Sequence, residues 1–137
     1  MGIEDDLKNS KIVILDDDPI NGLKCKLNLK SNGFNNVSLY QHRTNLILNI
    51  EGENPDVVIC DTQLNEGHLG YKFIKSAIEY LEVNNVLVIG MSSKKHYKKN
   101  WESFGYSFIP KSDINNNPDA LGNFVISKLE EKYTEAA

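Results

Sequence analysis

Only two cysteines, Cys25 and Cys60, occur in the 137 residues. They form neither a metal-ligand spacing nor a disulfide framework, and they read as small hydrophobes. Long apolar runs are missing too. Nothing approaches the roughly 20 residues of a membrane span, and the opening MGIEDDLKNS is too acidic and polar for a signal peptide. A cytoplasmic protein with no membrane partner is therefore expected. Excess positive charge is also absent: the formal net charge of −4 argues against a nucleic-acid surface. With 40% hydrophobic and 25% charged residues, the composition excludes disorder and fibrous repeats.

What is present is one domain's worth of chain at 15.5 kDa, enough for a sizeable core. Residues 10–134 read as a single domain, with tails at 1–9 and 135–137. Apolar strand-like runs alternate with helical patterns, which predicts an α/β fold with a parallel sheet. The predicted strands are Ile12 to Leu15, Val37 to Tyr40, Val57 to Cys60, Val86 to Met91 and Tyr106 to Ile109. The first, third and fourth are almost wholly apolar, as strands covered on both faces are.

Five helices are predicted between and after them. Pro19 to Ser31 places Ile20, Leu23 and Leu27 on one face, with Gly33 as its terminating glycine. Thr44 to Ile50 has Thr44 as its cap. Tyr71 to Glu82 aligns Phe73, Ile74, Ala77, Ile78 and Leu81. Lys94 to Phe104 is basic, and Pro118 to Tyr133 has Pro118 in its first turn with Leu121, Phe124, Val125 and Leu129 facing in.

The stretch KIVILDDDP sets three aspartates at the end of the first strand. In a doubly wound five-stranded sheet of order 2-1-3-4-5, ligands bind at the strand C-termini beside the switch between the first and third strands. Asp16 and Asp17 end strand one there, and Asp61 ends strand three. Two unit charges ~4 Å apart at an effective dielectric near 20 repel by roughly 4 kcal/mol, so the cluster requires a cation when ionised. Oxygen ligands alone favour Mg²⁺ over zinc. Asp18 directly precedes Pro19 and is assigned to capping the first helix. Ser92 and Ser93 follow strand four, and Lys111 follows strand five. A carboxylate, a hydroxyl, an ammonium and a Mg²⁺ site are the parts needed to make and hold an acyl phosphate.

From about Ser10 to Tyr133 the chain resembles the receiver domains of bacterial two-component response regulators, which have a flavodoxin-like fold. The resemblance rests on Asp16 and Asp17 in "ILDDDP", Asp61 in "PDVVICD", Ser92 in "VIGMSS" and Lys111 in "FIPKS". It implies that Asp61 accepts a phosphoryl group from a histidine kinase or phosphotransfer protein. It further implies that Asp16, Asp17, Asp61 and the backbone carbonyl of Gln63 hold Mg²⁺, and that Ser92 and Lys111 bind the phosphoryl oxygens. Ser92 and Phe108, the latter at the family's switch aromatic, would form the switch, and the output would be altered binding to a downstream protein effector. Such a receiver is not an enzyme beyond its own phosphoryl transfer and autodephosphorylation. A homodimer is left open.

The sequence also departs from the family. In "DTQLNEGHLG" Asn65 stands where the family usually has proline, and one extra residue precedes Gly70. Ser112 rather than proline follows Lys111, which leaves the geometry of that peptide bond open. Gln63 and Lys94 fit either tuning positions for phosphate lifetime or solvated loop residues. His42, His68 and His96 lack partners at catalytic spacing and are assigned to the surface. The run KKHYKKNW, residues 94–101, reads as the solvated, partner-docking face of a helix, and Trp101 and Tyr106 fit either an interface or the core. No output segment follows EEKYTEAA, so a stand-alone receiver and a piece of a longer regulator both remain open. Two other readings stand beside the receiver: a non-phosphorylated binding module of the same fold, and a phosphatase similar to the haloacid dehalogenases that uses Asp16 as nucleophile.

Overall fold

A computed structural model describes residues 3–77 and 79–136. Five parallel strands run β1 (Ile12–Leu15), β2 (Val37–Tyr40), β3 (Val57–Asp61), β4 (Leu87–Ser92) and β5 (Ser107–Pro110), in the order β2-β1-β3-β4-β5. The helices are α1 (Ile3–Leu7), α2 (Pro19–Ser31), α3 (Arg43–Glu53), α4 (Gly70–Ala77), α5 (Glu79–Val83), α6 (Lys98–Ser103), α7 (Lys111–Asn116) and α8 (Ala120–Ala136). The predicted sheet order holds. β4 and β5 each lie one residue further along the chain than their apolar runs, because the ladder continues until Ser92 pairs with Pro110.

The strands alternate between two cores, since successive side chains point to opposite faces. Ile12, Ile14, Val57, Ile59, Ile89 and Met91 pack on one face with Cys25 and Leu29 of α2 and Leu121, Val125 and Leu129 of α8. Val13, Leu15, Val58, Cys60 and Val88 pack on the other with residues of α3, α4, α5 and α6. Both cysteines are free and buried, as small hydrophobes would be.

Several helix expectations need correction. Ile20, Leu23 and Leu27 of α2 do not face in: they are 81%, 50% and 55% exposed. The face against the sheet is Gly22, Cys25 and Leu29. The reason is close approach, because a Cβ on Gly22 would stand 2.7 Å from the Leu39 side chain. α3 begins before Thr44, after His42, and no side chain caps it. Pro118 lies ahead of α8 rather than in its first turn; the Asn117 side chain there accepts a hydrogen bond from the Asp119 N–H at 2.9 Å. Phe124 is only partly buried, while Leu121, Val125 and Leu129 are fully buried. The expected helix from Lys94 opens with a 3-10 turn at Lys95–Tyr97 and becomes α-helical only at Lys98. Ile78 lies outside the described residues.

Two further expectations stand. Asp18 caps α2, its carboxylate accepting from the Ile20 N–H at 3.0 Å. Gly33 follows the C-cap of α2 with φ +98°, a left-handed conformation that suits glycine. The stretch read as an N-terminal tail contains α1, whose Leu7 is buried in the first core. Lys111 and Ser112 start a helix, α7, and the bond between them is trans like every peptide bond among the described residues. No helix among the described residues is long and apolar enough to cross a membrane.

Candidate functional site

β1 and β3 are adjacent and parallel, with Leu15 beside Cys60. The residues that leave them, Asp16, Asp17 and Asp61, therefore meet at one edge. One carboxylate oxygen from each lies within 4.8 Å of the others. Asp16 is fully buried and Asp61 is 6% exposed. The Asp16 carboxylate is held at both oxygens: the Asp18 N–H donates to Oδ1 at 2.9 Å, and Asn21 Nδ2 donates to Oδ2.

Lys111, carried to the same edge by the end of β5, places Nζ 3.1 Å from Asp61 Oδ1 and 3.6 Å from Asp16 Oδ2. The Thr62 N–H donates to the same Asp61 oxygen at 2.9 Å. Burial and then the charge of Asp16 push the Asp61 carboxyl up to about 7, against the opposing pull of Lys111 and the Thr62 amide. Lys111 itself is held above its ordinary value: burial works against its charge, but Asp61 and Asp16 outweigh it. One ammonium thus serves two buried carboxylates, and the edge retains an excess of negative charge. A set of carboxylate oxygens without histidine or cysteine suits a hard divalent cation.

Ser92 ends β4 and is 2% exposed. Its Oγ accepts a hydrogen bond from the Lys94 N–H at 3.0 Å and so is engaged in its own loop. Phe108 is 6% exposed and packs in the second core. Gln63 is exposed and forms an isolated antiparallel bridge with Leu69. This bridge closes the loop that carries the extra residue, within which Glu66 adopts φ +63°. The loop returns to the sheet at Gly70, whose N–H donates to the Thr62 carbonyl. A Cβ on Gly70 would overlap the Asp61 carbonyl oxygen, so this glycine is required for the close approach.

Lys94 is exposed, and His42, His68 and His96 are all on the surface. Trp101 is fully buried in the second core, while Tyr106 is only partly covered. Two contributors escaped the sequence reading, Asn21 and Thr62. Asn21 lies in the first turn of α2 just after the aspartate run, and that position was its only signal. Thr62 adjoins Asp61 in the chain, but its partners are distant in sequence.

No family model matches the chain, and no curated protein matches it. Solved structures do. The isolated receiver domain of RcsB from Salmonella enterica serovar Typhimurium, in the presence of phosphomimetic BeF₃⁻, superposes with a TM-score of 0.68 at 20% identity, covering 84% of each chain. The chemotaxis response regulator CheY4 of Vibrio cholerae gives 0.70 at 16% identity, over 85% of this chain and 95% of that one. The signal receiver domain of a modulated diguanylate cyclase from Desulfovibrio desulfuricans G20 gives 0.75 at 14% identity, over 92% and 98%. The 2-1-3-4-5 sheet, the acidic edge beside its switch point and these likenesses agree, and the chain carries the fold of the response-regulator receiver domains.

Proposed function

We propose that the protein is a phosphorylation-switched receiver in which Asp61 accepts a phosphoryl group, in the presence of Mg²⁺, from a histidine kinase or phosphotransfer protein. The observation that carries this reading is the meeting of Asp61 with Asp16, Asp17 and Lys111 at one edge of the sheet. Asp16, Asp17, Asp61 and the Gln63 carbonyl would hold the cation, which supplies charge neutralisation when bound. Thr62 and Lys111 both contact Asp61 Oδ1, which leaves Oδ2 as the attacking oxygen. In the transfer, that oxygen forms a bond to phosphorus while the bond from phosphorus to the donor breaks, and the donor leaves with its electron pair. Lys111 then balances charge on the phosphoryl oxygens. Ser92 turns from the Lys94 amide toward the phosphoryl group, and Phe108 responds on the β5 side. The protein signals by changing partners and turns over no other substrate.

The exposed apolar stripe Ile20, Leu23 and Leu27 lies on the helix that opens at the acidic edge and suits the phosphodonor protein. The exposed lysines 94, 95, 98 and 99 suit an acidic effector surface. Asp16 is a poor nucleophile for the phosphatase reading, since it has no exposure and both its oxygens are engaged.

The test is intact-protein mass after incubation with acetyl phosphate and Mg²⁺. One phosphoryl adduct is expected, dependent on Mg²⁺ and absent from Asp61→Asn. No adduct with several donors would favour the unphosphorylated binding module, and an adduct that survives Asp61→Asn but not Asp16→Asn would favour the phosphatase.

A further inference from the structure

Trp101 does more than fill the second core. Its indole Nε1–H donates to Thr62 Oγ1 at 2.7 Å, and that hydroxyl in turn donates to the Met91 carbonyl at 2.8 Å. The Thr62 amide lies against both neighbours of this pair, with Met91 O at 3.0 Å and Asp61 Oδ1 at 2.9 Å. Neither Thr62 nor Trp101 has any exposed surface. A buried Thr–Trp bond therefore joins α6 to the residue next to Asp61 and to the residue just before Ser92. The ring lies directly on Gly90, where any Cβ would overlap it. The strand thus has room for an indole at this place and nothing larger on its own side.

We propose that the Thr62–Trp101 hydrogen bond is a latch that holds α6 against the end of β3 while Asp61 is unmodified, and that modification of Asp61 opens it. This inference rests on the reading of Asp61 as a phosphoacceptor. In the latched structure Ser92 Oγ is occupied by the Lys94 N–H. To reach a phosphoryl group on Asp61, the Ser92 hydroxyl must give up that bond, which frees the segment from Ser92 to Lys98 to move. That segment leads into α6, whose Trp101 is anchored beside Asp61 itself. Movement of the segment loads that anchor, and a buried polar bond has discrete made and broken states. Thr62 is thus a positioning residue, acting on Asp61 through its amide and on α6 through its hydroxyl. Losing one such bond shifts the balance between the two states by roughly 2- to 10-fold.

The chain has one tryptophan, so it gives one indole N–H resonance. The experiment adds Mg²⁺ and beryllofluoride to the full chain, following bound fluoride by ¹⁹F NMR and the indole by ¹H–¹⁵N correlation. On saturation, the wild-type indole N–H is expected to move upfield and to exchange faster with solvent. Thr62→Val and Trp101→Phe are expected to bind beryllofluoride roughly 2- to 10-fold more tightly than wild type, and Thr62→Ser, which restores the hydroxyl, to return toward it. Beryllofluoride bound at Asp61 with an unmoved, equally protected indole N–H overturns the latch alone. So does a Thr62→Val affinity equal to that of Thr62→Ser. Failure of wild type to bind beryllofluoride or take up phosphate removes the phosphoacceptor reading and the latch with it. Should Thr62→Val not fold, the wild-type resonance still decides.

Discussion

Gly70 and Gly52 are the same residue under opposite constraints. Gly70 opens α4, and a Cβ there would overlap the backbone carbonyl of Asp61, which cannot rotate away as a flexible side chain can. Gly52 sits near the end of α3 with nothing within 4 Å of the place a Cβ would take. Gly70→Ala is therefore expected to lower stability by about 1–3 kcal/mol, the usual cost of forcing volume into a packed place. Gly52→Ala should raise stability by about 0.4–1 kcal/mol, because alanine restricts the unfolded chain and suits a helix. Urea unfolding of both variants checks this, and a Gly70→Ala protein as stable as wild type would contradict the close-approach account of Gly70.

At the scale of elements, α2 is the instructive case. Its residues 20, 23 and 27 and its residues 22, 25 and 29 both have helical spacing, so periodicity alone offers two faces. The larger side chains looked like the core, yet the sheet takes Gly22, Cys25 and Leu29 because small residues let the helix come close. Leu29→Ala should accordingly cost about 2–5 kcal/mol as a core truncation, while Leu23→Ser stays within about 0.5 kcal/mol as a surface change. Equal losses in thermal unfolding would mean that Leu23 is covered after all. The strands were legible for a different reason: apolar runs buried on both faces leave no choice of side, and their alternation with helices fixed the parallel order. From that order the meeting of Asp16, Asp17 and Asp61 followed without any knowledge of side-chain positions. The Thr62–Trp101 bond did not follow, since it spans 39 residues and a tryptophan in a basic run reads equally as surface.

At the scale of the whole molecule, the fold gathers charges that the sequence keeps apart, and stability must answer to pH and cations. The folded protein holds the Asp61 carboxyl at about 7, above its ordinary 3.8, with burial and then Asp16 as the causes. Between those values the native state keeps a proton that the unfolded chain has released, so stability falls as pH rises through this window and levels off above it. Asp61→Asn removes that ionisation, and in the absence of divalent cations at pH 8 it should melt several degrees higher than wild type. A cation that binds only the native edge acts in the opposite sense, adding about 2.7 kcal/mol at 100 times its dissociation constant. A proton on Asp61 competes with it, so the rise in Tm produced by a fixed Mg²⁺ concentration should be larger at pH 8 than at pH 6, and smaller in Asp61→Asn at both. Equal Mg²⁺ increments at the two pH values in wild type would show that Asp61 takes no part in binding the cation. The cation would then be held without Asp61, whose charge Lys111, facing both Asp16 and Asp61, would balance with the Thr62 amide.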